Sequence, residues 1–299
     1  MGRLLNGKVA VITGSGGGIG RELALAFAAY GASVVVNDVG TSKDGDICAG
    51  IVAAQITAAG GKAVVSTDSV ADWESSQRIV ECALDNFGRV DCVVNNAGTV
   101  RDSLFYHISP EDWRAVIDVH LNGSFYVARA AAPHFKAQIS GAYVHMTSTS
   151  GLIGNVAQAN YSAAKMGIVG LSKSIALDMA KFNVRSNCIV PWALTSLTAS
   201  LPETRENRAR IEKMKRMDPA KIAPLVLYLA SDAATKISSQ IFGVRANEIY
   251  LFSQIRMIRS VHRAEGWTPE TIGEQAMATF EASLFPNVAS ESLTPWDPI

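Results

Sequence analysis

The stretch YSAAK places Tyr161 and Lys165 four positions apart in a segment with a helical pattern. Residues at this spacing share one face of a helix, so the phenol and the ammonium are neighbours. A phenol has a pKa of about 10 and is a poor acid or base at neutral pH unless its phenolate is stabilised. A nearby positive charge provides that stabilisation. The spacing therefore predicts acid–base chemistry at Tyr161, although most such pairs in proteins lie on the surface.

A segment rich in Ser and Thr, HMTSTSG, precedes this pair at the end of a predicted strand. Its first serine, Ser148, is predicted to bind a substrate oxygen on which charge develops during a reaction. Thr149 and Ser150 are alternatives, because neighbouring side chains at a strand end point in different directions.

A glycine-rich stretch, TGSGGGIG, follows the first apolar run and opens the first helical pattern. Glycines there let the backbone approach a pyrophosphate, and the helix N-terminus offers free N–H groups and a favourable dipole. The pattern predicts a dinucleotide site, although a glycine-rich turn alone is a weak signal. The loop residues predicted to contact the nucleotide are Gly14, Ser15, Gly18, Ile19 and Gly20.

The second apolar run ends in Asp38, about twenty residues beyond the glycine loop. A carboxylate at this place accepts hydrogen bonds from the adenosine ribose and repels a 2′-phosphate. No Lys or Arg immediately follows Asp38, and Ser15 adds no positive charge to the loop. The sequence therefore predicts NAD rather than NADP; the alternative is a solvated Asp at a strand end.

Short runs rich in Val and Ile alternate with longer helical patterns, several of which end in glycine, the usual helix stop. Continuous apolar runs indicate strands buried on both faces of a parallel sheet. The alternation predicts an α/β fold with a doubly wound parallel sheet of the Rossmann type. The predicted strands are 8–13, 33–37, 62–66, 90–95, 142–147 and 183–190, with one last strand at 240–244.

The pattern breaks down beyond this last strand. We therefore expect one dinucleotide-binding domain over residues 1–248 and a C-terminal extension over 249–299. The extension contains one predicted helix, opened by Thr268, Pro269 and Glu270, and is a candidate for subunit contacts.

The composition excludes several classes of protein. Of the 299 residues, 48% are hydrophobic, and Lys plus Arg balance Asp plus Glu at 27 each. No strong field attracts nucleic acid or an anionic membrane, and no apolar run approaches a membrane span. The four cysteines lie far apart without metal-ligand spacing, so we expect reduced thiols, no metal and a cytoplasmic location.

Four motifs in this order resemble the short-chain dehydrogenase/reductase family: TGSGGGIG, NNAG at 95–98, Ser148 and YSAAK. The resemblance covers residues 5 to about 245 and implies a Rossmann-type domain that forms homodimers or homotetramers. It implies that Tyr161 is the acid/base, that Lys165 lowers its pKa and binds the nicotinamide ribose, and that Ser148 orients the substrate oxygen. Further implied cofactor contacts are Asp68, Ser69, Asn95, Ala97, Gly98 and Pro191.

The chain departs from the family pattern at two places. The family usually has Pro-Gly after the sixth strand, where this chain has Pro191 and Trp192. The family's catalytic Asn lies three residues before a Gly, and in DVHLNGSF that position is His120, which leaves Asn122 as a variable residue facing solvent. An imidazole at 120 is predicted to join a proton relay and to titrate near neutrality; the alternative is that it only satisfies a helix kink.

A subgroup of the family also has His at this position, the (3R)-hydroxyacyl-CoA dehydrogenase domains of multifunctional enzyme type 2. Similarity to it in NNAGTVRDSLF and GNVAQANYSAAKMG implies NAD-dependent oxidation of a 3-hydroxyacyl-CoA. This activity predicts a basic entrance for CoA, for which RENRARIEKMKR (205–216) is the candidate. A hydroxysteroid or small alcohol/ketone oxidoreductase predicts an apolar pocket from 194–201 with Trp192 as a wall. An inactive binding or scaffold protein is the third hypothesis, and the intact Ser, Tyr and Lys argue against it.

Overall fold

The computed structural model describes residues 4–193 and 216–299. These form one twisted sheet in the order β3-β2-β1-β4-β5-β6-β7-β8, parallel except for β8, which is antiparallel to β7. The sheet confirms the predicted doubly wound α/β fold. The strands are β1 (Val9–Thr13), β2 (Ser33–Asn37), β3 (Lys62–Ser66), β4 (Cys92–Asn95), β5 (Gly141–Met146), β6 (Val184–Trp192), β7 (Ile241–Arg245) and β8 (Glu248–Leu251).

Helices cover both faces of the sheet. Those before β6 are α1 (Gly18–Ala29), α2 (Cys48–Ala58), α3 (Trp73–Phe87), α4 (Pro110–Ile117), α5 (Gly123–Gln138), α6 (Thr149–Leu152) and α7 (Ala159–Asp178). Those after it, within the described residues, are α8 (Ala223–Ala230), α9 (Pro269–Thr271) and α10 (Ala278–Phe280). A π-helical turn, Asp118–Asn122, joins α4 to α5.

The strand residues alternate between two hydrophobic cores. In β1, Ala10 and Ile12 pack with α1, α2 and α8, whereas Val9 and Val11 pack with α3 and α5 on the other face. All five residues of β1 are buried, as expected when successive side chains point to opposite faces of a covered sheet. This double burial is why the strands appear in the sequence as continuous apolar runs.

The strand order changes direction beside β1, which lies between β2 and β4. In open α/β sheets, ligands bind beyond the carboxyl ends of the strands at such a switch point. The glycine loop after β1, NNAG after β4 and the Ser/Thr-rich segment after β5 therefore share one edge of the sheet.

The prediction that 240–244 is the last strand was wrong. Residues Glu248–Leu251 form β8, joined to β7 by a two-residue turn in which Ala246 has a φ of 52°. The turn contains no glycine, which is the usual signal for this conformation. The sheet thus continues to Leu251, past the predicted domain end at 248; the division into domain and extension stays a prediction.

The C-terminal extension returns to the body of the fold. Thr268 caps the predicted helix, which continues from α9 through a second π-helical turn, Ile272–Met277, into α10. Ser290 N–H donates to the carbonyl of Gly154 at 3.0 Å, and Asn247 N–H donates to the carbonyl of Ile299 at 2.8 Å. Across the described ranges, no helix is long and apolar enough to cross a membrane.

Candidate active site

The glycine loop is packed tightly against NNAG. Gly14 has a φ of 62°, and a Cβ there would lie 2.6 Å from the Cα of Ala97. A Cβ on Gly20 would lie 2.1 Å from the carbonyl oxygen of Gly14. These two glycines are therefore required by the protein's own backbone, before any ligand is considered.

Two residues that sequence reasoning missed hold the loop in place. The hydroxyl of Thr13 accepts from the N–H groups of Asn96 and Ala97, both at 3.1 Å. The amide of Asn96 donates to the carbonyls of Thr13 and Gly14, both at 2.9 Å. Both residues stand inside the quoted motifs, but their partners become evident only when β1 and β4 are known to be neighbours.

Asp38 lies at the end of β2 and contacts the loop directly. One carboxylate oxygen accepts from Gly16 N–H and the other from Gly40 N–H, both at 2.8 Å. Ser15 is fully buried, and its hydroxyl donates to the carbonyl of Ile12 at 2.7 Å. Ser15 thus braces the loop, while Asp38 places a negative charge beside it.

The loop fits a dinucleotide on the protein's own geometry. A Cβ added to Gly17 would meet nothing within 4 Å, so the outer side of the loop is open. Gly17 is also the N-cap of α1 and has no side chain to satisfy the first N–H groups of that helix, at Gly18 and Ile19. Such N–H groups bind phosphate oxygens.

The predicted adenine-side residues follow β3. The carboxylate of Asp68 pairs with Arg78 at 2.7 Å, and its backbone carbonyl accepts from Asn37 at 2.9 Å. The hydroxyl of Ser69 accepts from Ala71 N–H at 3.2 Å. Both residues lie beside the end of β2, and their contacts with a cofactor stay predictions.

The reactive group of side chains forms at the start of α7. Lys165 is buried, and its ammonium donates to the carbonyl of Met146 at 2.7 Å and lies 5.5 Å from the ring centroid of Tyr161. Burial lowers the pKa of Lys165 to about 7. The YSAAK spacing therefore does bring an amine to the phenol, with α7 as the rigid support.

The pKa of Tyr161 moves upward in this structure, opposite to the predicted direction. Burial is the main cause, and the charge of Asp102 adds to it, whereas the hydrogen bond with Ser148 lowers the pKa. The difference arises because the phenol is taken out of water while Lys165 titrates near neutrality in the same buried place. The stabilisation of the phenolate by a charged Lys165 stays a prediction.

The structure separates Ser148 from its two alternatives. The Ser148 hydroxyl lowers the pKa of Tyr161, and its oxygen accepts from Ser150 N–H at 3.1 Å. The hydroxyl of Ser150 donates instead to Gln158 at 2.8 Å, and Thr149 is buried at the start of α6. Of the three, Ser148 lies beside the phenol.

His120 lies in the π-helical turn, beneath Gly98. Its Nε2 lies 2.7 Å from the carbonyl oxygen and 3.1 Å from the backbone nitrogen of Thr99, so it donates to the one or accepts from the other according to its tautomer. Its buried Nδ1 has no partner among the described residues. Burial, followed by the charge of Lys165, lowers the pKa of His120 to about 3. The prediction that it titrates near neutrality is therefore wrong; any part in a relay is that of a neutral imidazole.

Asn122 takes no part in this cluster. Its amide donates to Asp118 at 2.8 Å, one turn back on the same helical segment. A close packing contact supports His120 instead: a Cβ on Gly98 would lie 2.5 Å from the imidazole Cε1.

A second histidine escaped sequence reasoning. His145 on β5 is fully buried, and its Nδ1 lies 3.1 Å from the amide of Asn95. The same amide donates to the carbonyl of Ser124 at 3.2 Å, and the hydroxyl of Ser124 donates to the carbonyl of His120 at 2.6 Å. Asn95 thus supports the π-helical turn from the sheet. In the sequence, the sign of a buried polar contact was His145 itself, a polar residue within the apolar strand YVHM.

The end of β6 continues the carboxyl edge of the sheet beyond β5. Pro191 pairs in register with Val244, and the ring of Trp192 packs 5.8 Å from that of Tyr250 on β8. The predicted apolar wall at 194–201 lies outside the described residues, as does the predicted basic entrance at 205–216 except for its last residue.

A nucleotide loop at the carboxyl edge of a doubly wound sheet, with Ser, Tyr and Lys converging beside it, defines a nicotinamide-dependent oxidoreductase. The family model for short chain dehydrogenase matches residues 8–208. The chain belongs to the short-chain dehydrogenase family, in which the nicotinamide cofactor is NAD or NADP.

Individual proteins resemble the chain over most of its length. It is 40% identical over 296 residues to peroxisomal multifunctional enzyme type 2 of Mus musculus, covering 96% of this chain and 39% of that protein. It is 36% identical over 275 residues to the hydroxyacyl-CoA dehydrogenase ChsB1 of Mycobacterium tuberculosis, covering 89% and 86% of the two chains. A crystal structure of a short chain dehydrogenase from Mycobacterium avium matches with a TM-score of 0.84 at 36% identity, covering 96% and 98%. The chain thus spans about two fifths of the multifunctional relative's length.

Proposed function

We propose that the chain is an NAD-dependent dehydrogenase that interconverts a 3-hydroxyacyl-CoA and a 3-ketoacyl-CoA. The observation that carries the reaction type is the convergence of Ser148, Tyr161 and Lys165 at one edge of the sheet, with the Lys165 amine 5.5 Å from the phenol ring and Ser148 lowering the pKa of the phenol. The substrate class is supported by the hydroxyacyl-CoA dehydrogenase to which this chain is similar over 86% of that protein.

The proposed chemistry divides between three side chains. The Tyr161 phenolate removes the proton of the substrate hydroxyl, and Ser148 donates a hydrogen bond to the oxygen that becomes the carbonyl. Lys165, when charged, stabilises the phenolate. Because its pKa is about 7, the amine can lose and regain its own proton near neutrality. Bound NAD supplies the acceptor for the hydride.

NAD is proposed over NADP on the position of Asp38. Its carboxylate is fixed by two backbone N–H groups at the end of β2, so it cannot swing away from an adenosine ribose without losing both bonds. A 2′-phosphate placed there would meet a negative charge, whereas ribose hydroxyls would find an acceptor. Asp68, Ser69, Asn95, Ala97, Gly98 and Pro191 are proposed as further cofactor contacts. Assembly as a homodimer or homotetramer and a cytoplasmic location stay predictions.

The test measures NADH or NADPH formation with a panel of alcohols. A 3-hydroxyacyl-CoA oxidised with NAD at a higher kcat/KM than a hydroxysteroid or a short secondary alcohol supports the proposal. Preference for the steroid would favour the second candidate, in which Trp192 forms an aromatic pocket wall. No turnover and no NAD binding would indicate an inactive scaffold.

A companion experiment addresses the cofactor alone. Asp38→Asn removes the charge but keeps one acceptor for the loop, so we expect the preference for NAD over NADP to fall by about tenfold or more. Asp44→Asn, on the exposed turn after β2, is the matched control. An unchanged NAD/NADP ratio of kcat/KM would contradict the role of Asp38.

A further inference from the structure

Gln158 stands where three segments of the active site meet. It is the last residue before α7, which carries Tyr161 and Lys165, and it forms an isolated bridge with Ser103 in the loop after β4. Its side chain reaches both that loop and α6, the short helix that begins after Ser148.

The orientation of the Gln158 amide is fixed by its neighbours. Nε2 donates to the Asp102 carboxylate at 2.9 Å, and a carboxylate can only accept. Oε1 must then face the other way, where it accepts from the hydroxyl of Ser150 at 2.8 Å and the amide of Asn155 at 3.1 Å. Only one placement of the amide oxygen and nitrogen of Gln158 therefore satisfies all three neighbours.

This orientation determines what the neighbouring serines can donate. A hydroxyl has one proton, and Ser150 gives its proton to Gln158. The backbone N–H of Ser150 donates to the oxygen of Ser148 at 3.1 Å. The proton of Ser148 is therefore directed away from α6, to the side on which Tyr161 and a substrate oxygen lie.

We propose that Gln158, oriented by Asp102, is a positioning residue that holds the turn from Ser148 to Ser150 and so aims the Ser148 hydroxyl at the reacting oxygen. In this proposal Gln158 acts through Ser148 and not on the reacting atoms. This proposal rests on the proposed function only because its kinetic tests need an alcohol that the enzyme oxidises.

The first test is a double-mutant cycle. Gln158→Leu removes the three hydrogen bonds of the side-chain amide at similar volume. We expect kcat to fall about tenfold with a smaller change in KM. In a Ser148→Ala background the same substitution should have little further effect, because the group it positions is gone. Gln77→Leu, on α3 and remote from the site, is the matched control. An equal fall of kcat in both backgrounds would show a merely structural role and overturn the proposal.

The second test exchanges the donor and the acceptor. Gln158→Glu combined with Asp102→Asn keeps an acceptor for Ser150 and turns the hydrogen bond between 102 and 158 around. We expect this pair to recover most of the kcat lost in Gln158→Leu, and Gln158→Glu alone, with two carboxylates facing each other, to recover less. No difference between the single and the double variant would contradict the role of Asp102.

A third measurement needs no substrate, so it separates failure of this proposal from failure of the proposed function. Tyr161 also faces Lys165 on its own helix, His120 on the π-helical turn and Asp102 on the loop after β4. Because the hydrogen bond with Ser148 lowers the pKa of Tyr161, Gln158→Leu should raise the midpoint of its ultraviolet titration, with Tyr161→Phe as the blank. An unchanged midpoint would overturn the proposal even if the enzyme oxidises a hydroxyacyl-CoA as expected.

Discussion

The imidazole of His120 meets the phenol of Tyr161 edge to face, with ring centroids 5.2 Å apart and planes at 83°. This geometry is favourable for an aromatic pair and restricts the tilt of the phenol. Since the pKa of His120 is lowered to about 3, the ring adds no charge beside Tyr161 at the pH of catalysis. His120 therefore acts on Tyr161 by packing, as a neutral ring.

Replacing His120 tests this distinction. We expect His120→Ala to lower kcat about tenfold, because Tyr161 loses its aromatic neighbour and Thr99 loses its partner. The midpoints of the pH–kcat profile between about pH 5 and pH 8 should stay where they are, because the pKa of His120 is lowered to about 3 and its imidazole does not titrate in that range. His120→Asn restores the residue usual in the family and is the matched comparison. Loss of an inflection near neutrality in either variant would contradict a neutral His120.

Two glycines of the same loop should respond differently to a methyl group. Gly20→Ala forces a Cβ onto the carbonyl of Gly14, so we expect a loss of about 1–3 kcal/mol of folding free energy together with loss of nucleotide binding. Gly17→Ala meets no protein atom and should fold as the wild type does, yet bind NADH more weakly. Thermal unfolding and NADH fluorescence titration measure the two effects. Equal unfolding temperatures for Gly20→Ala and Gly17→Ala would refute the conclusion that the fold requires a glycine at 20 but not at 17.

Burial of Lys165 predicts a particular dependence of stability on pH. Its pKa is about 7 when folded and 10.5 when exposed, so between these values the unfolded chain binds more protons and stability rises with pH. Lys165→Met should remove this rise. We expect the variant's stability relative to wild type to be greatest at or below about pH 7 and to diminish as the pH rises towards about 9. Denaturant unfolding at each pH measures it, and a difference independent of pH would contradict the lowered pKa.

Asp102 raises the pKa of Tyr161 through its negative charge. Asp102→Asn should therefore lower that pKa and move the acidic limb of the pH–kcat/KM profile to lower pH, because the phenolate forms more readily. Asp85→Asn, on the exposed face of α3, changes the same charge at a remote place and should leave the profile unmoved. A shift of the acidic limb to higher pH after Asp102→Asn would show that Asp102 acts in another way.

The parts of the site that the sequence predicted are those encoded locally. Tyr161 and Lys165 share a helix, and Asp38 directly follows a strand that its buried valines indicate. The pairing of Gln158 with Asp102, 56 positions apart, depends on which loops meet at the edge of the sheet, and no local pattern shows that. The pKa direction of Tyr161 and the titration of His120 near neutrality were misjudged for a related reason, since burial by distant elements is the main cause of both shifts.

The last strand, β8, was not predicted for a different physical reason. In β8, Ile249 and Leu251 are exposed, so the strand buries little and lacks the continuous apolar pattern of the central strands. Its identity comes from pairing with β7 and from the contact of Trp296 with Glu248 at 2.7 Å, which brings the end of the chain back to the hairpin.

The π-helical turn at Asp118–Asn122 is one residue longer than a regular turn, as if a single residue had been inserted into a continuous helix. The wider turn takes up the extra residue locally, so α5 continues in the direction of α4 and keeps Val127 and Ala131 in the core. The same turn carries His120 against Gly98 and the ring of Tyr161. Removing one residue here would restore an unbroken helix with the core positions of α5 in register, and the cost would fall on the place of His120 beside Tyr161.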